Sequence, residues 1–274
     1  MSVFHRFRRS WIFGGVAFAG VAAVVAASAG VHHAHPPIAA LTSPSARDAR
    51  PFVELHAPHV SAPIVVDAEI EGQKAWESDI GSTNVFKDEN GQGMVPYTEA
   101  KVRWGDGTLY LWLYAGDLDL EGTVKAPDGP VLQDDAFAIE FGAGGGVDKV
   151  RTIDVSVLGT VADAECTGTV GGPIEGRRCD PSWSSHATVS VDSDGTLNKT
   201  GDNDEEWVVE LAVPFASLGL RSATAGTRIP FAIRRCDIGK TGKHACGAFG
   251  AGKTRGELVL DGALLAEARV PARP

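Results

Sequence analysis

Residues of one kind recur at every second position through most of the chain beyond residue 63. The clearest case is "GDGTLYLWLYAGDLDL", residues 105–120, where Leu109, Leu111 and Leu113 fall on one side of an extended chain. Tyr110, Trp112 and Tyr114 fall on the other, because successive side chains of a strand point to opposite faces. The preceding Asp106-Gly107 suits a type I′ turn and joins "TEAKVRW" to "LYLWLYA" as a hairpin. A two-residue loop sets Trp104 opposite Leu109, Val102 opposite Leu111 and Ala100 opposite Leu113; on the other face Arg103 meets Tyr110, Lys101 meets Trp112 and Glu99 meets Tyr114. The leucine side is purely apolar. The aromatic side is either a ligand platform or a second buried face, and a cover is the expectation, since buried aromatics dominate cores.

The same design recurs. "DAFAIEF" puts Phe137, Ile139 and Phe141 on one face, and "VRTIDVSVLGTV" puts Ile153, Val155 and Val157 opposite Thr152, Asp154 and Ser156. "EWVVELAVPF" aligns Trp207, Val209, Leu211 and Val213, and Pro214 ends that strand. "PIVVDAE", "IPFAIRRC" and "RGELVLDG" complete the set, with single helical turns expected only near Glu71 to Trp76 and Pro214 to Leu218. Many short strands separated by Gly, Asp and Asn predict an all-β fold, an antiparallel β-sandwich of jelly-roll type with few or no helices.

The N-terminus reads as an address. "HRFRR" supplies positive charge, "WIFGGVAFAGVAAVVAASAG" is apolar, and Ala27-Ser28-Ala29 is a small-residue cleavage pattern, so residues 1–29 are expected to be a signal peptide. An uncleaved membrane anchor is the competing reading, because the uncharged run from Trp11 to Val31 is long enough to span a bilayer. Residues 30–62 are crowded with Pro, Ala and His and are read as a flexible linker, leaving residues 63–274 as one domain. His32, His33 and His35 in that linker are an incidental cluster rather than a metal trap.

The formal charge of −10 argues against nucleic acid and anionic membrane surfaces as partners, since both reward a basic face. Four cysteines in an exported chain indicate two disulfides. Of the three connectivities, Cys166 with Cys179 and Cys236 with Cys246 is the simplest, each closing a short Gly-rich loop.

Taken in order, the segments resemble a family. "VVDAEIEGQKAWES", with Asp67, Glu71 and Trp76, resembles the D-G-x-x-x-E-x-x-W opening of the family 9 carbohydrate-binding modules. "AKVRWGDGTLYLWLYAGDLDL", "QDDAFAIEFGAG", "EEWVVELAVPFASLGL" and "FGAGKTRGELVL" resemble its later blocks, so the likeness spans residues 63 to 262. The resemblance implies an antiparallel β-sandwich, non-catalytic sugar binding and structural calcium. It also implies a site that clamps a sugar ring between two aromatics, with a carboxylate reaching the hydroxyls. Where one clamp aromatic should stand, this chain has Val131 and Leu132; the carboxylate falls at Ala138, or at Glu140 in a shifted register. Phe249 stands near the second aromatic position.

The expected glycan site is therefore Phe249, Trp183 and Asp154, with Tyr110, Trp112, Tyr114 and Glu140 as secondary candidates. Phe249 and Trp183 would supply apolar surface, and Asp154 would accept hydroxyl hydrogen bonds. No metal ligand set is identified: the acidic runs at 202–206, Asp117 with Asp119, and Asp192 with Asp194 offer oxygen atoms without EF-hand spacing. No cofactor is required, structural calcium being the one addition that the resemblance implies. Haem would need Met94 or a histidine as axial ligand. Catalysis finds no support: Asp134 and Asp135 are neighbours rather than an opposed pair, and no G-x-S-x-G or H-E-x-x-H occurs. "GAGGG" at 142–146 follows a strand but precedes no helix, which argues against a dinucleotide or phosphate loop.

The expectation is an exported, periplasmic or extracellular, monomeric module that binds a glycan, accessory to polysaccharide breakdown, and that meets a membrane only if its N-terminal segment stays uncleaved. The alternative is a structural or protein-interaction domain of the cell envelope that has lost sugar binding.

Overall fold

Among the described residues, twelve strands bury the alternating positions from two sides. They are β1 (Phe52–His59), β2 (Thr98–Gly105), β3 (Thr108–Gly116), β4 (Ala136–Gly142), β5 (Lys149–Ser156), β6 (Val161–Thr167), β7 (Cys179–Asp180), β8 (Thr188–Asp194), β9 (Glu206–Pro214), β10 (Arg228–Ile238), β11 (His244–Ala248) and β12 (Arg255–Ala263). This is a computed structural model, and it describes residues 52–263 except 70–73, 85, 88–91, 94–95, 175, 240–241, 243 and 250–254. The segment read as a signal peptide, the histidine cluster, Glu71 and Met94 lie outside the described residues. Among the described residues no helix is long and apolar enough to cross a membrane.

The β2–β3 hairpin pairs in the expected register, Trp104 with Leu109 through Glu99 with Tyr114. Asp106 and Gly107 both take positive φ (47° and 74°), as a type I′ turn requires. Strand order is β7-β6-β5-β4-β10-β12-β1-β2-β3-β9-β8, with β11 also on β10, so one continuous sheet curls over itself into two facing halves. Leu109, Leu111, Leu113, Trp207 and Leu211 from one half meet Phe137, Ile139, Ile153, Phe231 and Ile233 from the other in the main core. Each such side chain contributes roughly 1.5–3 kcal/mol by leaving water.

Two expectations are corrected. The sheet is mixed rather than purely antiparallel, because β1 pairs parallel with both β12 and β2. It enters between the two halves in the direction that both neighbours already run, and so closes the curl. The folded region also reaches into the stretch read as linker, since residues 52–59 form β1 with Leu55 and Ala57 buried. The register of β1 shifts between Ala57 and His59, at Pro58, which has no N–H to give a ladder. Both disulfides, Cys166–Cys179 and Cys236–Cys246, form as expected.

Candidate functional site

The three primary candidates do not come together. Phe249 is buried, its ring 5.6 Å from that of Phe231, which also lies over Gly256 where any Cβ would fall 2.5 Å from the ring. Phe249 thus offers no face to a sugar. Trp183 is half-buried against the main core, with the Arg151 guanidinium 5.4 Å over its ring. Asp154 alternates with the core residues Ile153 and Val155 and so points to the opposite, outer face of β5. Ring and carboxylate cannot share one ligand in this arrangement.

The outer face of β4, β5 and β10 has an alanine floor. Arg234, Ala138, Asp154 and Ala162 form one row across β10, β4, β5 and β6, and Ala232, Glu140, Thr152 and Ala164 form the next. Thr152 Oγ1 donates to Asp154 at 2.7 Å. Burial pushes the Asp154 carboxyl up to about 7, with Glu140 adding to the shift and Arg234 and Arg177 opposing it. Glu140 is closed off by a strap that the Cys166–Cys179 disulfide ties at its base. Arg177 grips it at 2.9 and 3.2 Å, the Gly171 amide donates at 2.7 Å, and both charged side chains are buried. Glu140 therefore holds the strap and is not available as the sugar's carboxylate.

The outer face of β2, β3 and β9 answers the question about the aromatic stripe. Tyr110 and Trp112 are buried, covered by Ile64 and Trp76 in a second, smaller core. Glu210 fastens that cover: its carboxylate accepts from Trp76 Nε1 at 2.7 Å and from the amides of Asp67 and Ala68 at 3.0 and 2.9 Å. Burial pushes the Glu210 carboxyl up, and these three donors pull it back. Arg103, buried and drawn down to about 10 by burial, donates to the carbonyls of Ala75, Ser78 and Ile80 around the short helix α1 (Lys74–Glu77).

Beyond the cover, Tyr114 stays half-buried. Its ring stacks on Trp112 at 5.8 Å and meets the exposed Tyr97 edge-on at 5.9 Å. The Tyr114 hydroxyl donates to Glu206 and that of Tyr97 to Glu99, and burial together with these carboxylates raises both phenols. Glu206 in turn lines an open cleft of about 490 Å³ with Ala68, Glu69, Asp192, Ser193 and Asp194. Tyr97 and Glu69 were not singled out from the sequence. The cross-strand register did place Glu99 beside Tyr114, and that was the available signal.

Most of the acidic runs serve the backbone. Asp204 accepts from the amides of Leu120 and Thr196, both at 2.7 Å, and Asp134 accepts from the Val124 amide and the Thr123 hydroxyl. Asp117, Asp135 and Asp237 bring carboxylate oxygens within 4.8 Å of one another at one end of the main core. Burial, then the neighbouring Asp117, pushes Asp135 up to about 8. A calcium ion, which takes six to eight oxygens, does not fit these residues as they stand. Arg235 already bridges Asp117 and Asp237 at 2.7 Å each, and both Asp135 oxygens accept backbone amides at 2.6 Å. Cys236, His244 and Cys246 also gather, but both sulfurs are joined in the disulfide and are not free as ligands.

No family model matches the chain, and no curated protein does. Solved structures match its fold. A Bacteroides uniformis protein to which carbohydrate binding is provisionally ascribed aligns over 76% of this chain and 99% of its own, at 13% identity and a TM-score of 0.53. A family 9 carbohydrate-binding module from Caldicellulosiruptor kristjanssonii in complex with glucose aligns over 77% of this chain and 96% of its own, at 13% identity and 0.50. A module of the same family and organism in complex with cellotriose aligns over 81% of this chain and all of its own, at 15% identity and 0.50. At these identities the likeness is one of fold, and that fold is the one the sequence motifs imply.

Proposed function

We propose that a chain with this fold serves as an exported, non-catalytic glycan-binding module, and that its sugar lies in the cleft beside Tyr114 and Glu206. The observation that carries the reading is the cleft's edge at Glu206: Glu69, Asp192, Asp194 and Ser193 line the cleft with it, and Glu206 accepts the hydroxyl of the half-buried Tyr114, whose ring stands next to that lining. A glycan offers many hydroxyl donors and an apolar C–H face, so acceptors and rings in one place meet both needs. The glucose and cellotriose bound by the two similar modules support gluco-oligosaccharides as the first ligands to try. Two disulfides support export to an oxidising compartment. An accessory role in polysaccharide breakdown follows from the same reading.

The test is calorimetry of the full, oxidised chain against glucose and cello-oligosaccharides. Tyr114→Ala and Glu206→Gln are each expected to weaken binding about tenfold, the effect of roughly 1.4 kcal/mol. Phe249→Leu and Asp154→Asn are expected to leave it unchanged. The second reading, a protein-interaction domain that has lost sugar binding, is favoured by the closed Glu140 and the buried Phe249. Silence toward every glycan from folded protein would select it.

A further inference from the structure

We infer that Arg235 is the resident cation of the buried Asp117, Asp135 and Asp237 triad, so that this end of the sandwich is held together without a metal ion. The inference is independent of the glycan reading. The three carboxylates come from different parts of the curl, Asp117 just after β3, Asp135 just before β4 and Asp237 on β10. Buried carboxylates this close need a positive partner or a retained proton, and Arg235 bonds directly to Asp117 and Asp237.

Arg235 is fully buried and makes four bonds there: to Asp117 and Asp237 at 2.7 Å, to the Gly116 carbonyl at 2.8 Å and to Thr98 Oγ1 at 3.0 Å. A planar fork of N–H groups suits this set, and it spans β2, β3 and β10 as a bound ion would. Five oxygens of the triad already accept hydrogen bonds, the fifth from the Asp119 amide to Asp117. Among the described residues the Arg235 Nε donor has no partner, and the Trp207 indole N–H, also without a bond of ordinary geometry there, lies close enough to favour the charged form of Asp117. Such N–H groups welcome an oxygen atom and repel a second cation. Whatever this domain binds, its frame at this end does not depend on calcium supply.

The test compares calcium-induced changes in melting temperature for the full oxidised wild-type chain, Arg235→Met and Asp237→Asn, each in chelator and in saturating calcium. Reading each variant against wild type cancels any calcium bound elsewhere. Removing the guanidinium frees the carboxylates, so R235M is expected to gain about 5–10 °C from calcium beyond the wild-type response. A folded R235M that responds no more than wild type overturns the inference. If R235M folds in neither condition, the other two chains decide. Equal calcium responses of wild type and D237N support the inference, and a response seen in wild type but lost in D237N overturns it.

Discussion

The two outer faces of the sandwich are each sealed by one buried glutamate, and the difference between the seals separates a structural cover from a polar strap. On the β2, β3 and β9 face, Glu210 holds its cover through an indole and two amides, all neutral donors, over a dry aromatic cluster. On the β4, β5 and β10 face, Glu140 holds its strap through the Arg177 guanidinium, over alanines and Asp154. The first seal combines apolar burial with the bonds of Glu210 and those that the buried Arg103 gives to backbone carbonyls, none of them an ion pair that salt would screen. The second derives its strength from an ion pair under a loop, which water can enter once the pair opens.

That contrast can be broken at its stronger side first. Trp76→Ala removes the centre of the aromatic cover and is expected to cost about 3–5 kcal/mol of unfolding free energy, seen as a lower urea midpoint. Arg177→Ala leaves Glu140 beneath the strap with only the Gly171 amide and the longer contact to Arg234 at 3.6 Å, with an expected loss of about 2 kcal/mol. The double variant Glu140→Met with Arg177→Met should recover most of that loss, because an apolar pair of similar volume removes the stranded charge. An equal loss in the single and double variants would show that the strap's packing matters and not its ion pair.

The smallest effect is one of pH. The folded Asp154 carboxyl, near 7, lies above its ordinary value of 3.8, so the folded state holds a proton there that the unfolded chain releases earlier. Its contribution is complete below about pH 4 and is lost as pH rises through about 7. Asp154→Asn should therefore flatten the fall in stability across that window by about 1 kcal/mol, less than the full shift implies because the group still meets solvent. Asp135 and Glu210 move in the same direction, so the measurement is the difference between wild type and variant at each pH.

How much was legible follows the range of the interactions. The hairpin could be read to the residue because Asp106 and Gly107 fix its register locally, and the leucine face followed from that register. The burial of Tyr110 and Trp112 was readable in kind, but their cover depends on Glu210, 134 residues from Trp76. Phe249 was misplaced because its partner Phe231 stands on β10, and nothing in the local pattern around 249 shows which way the ring turns. Glu140 was misread for the same reason, its partner Arg177 lying 37 residues away in a Gly-rich stretch with no strand period. β1 was missed for a different reason. Its alternation of Val53, Leu55 and Ala57 is short and sits among Pro and His residues that read as linker.

The parallel seam of β1 with β12 also sets an order of events. Leu55 pairs with Leu258, so β1 waits for β12, and the curl cannot close while the C-terminal segment is still unmade. Contacts of such long sequence separation make closure late and slow. During that interval Leu55, Ala57 and Leu260 are exposed together with the edges they will cover, which makes this the stage at which a crowded compartment or a missing chaperone would most readily divert the chain into aggregates.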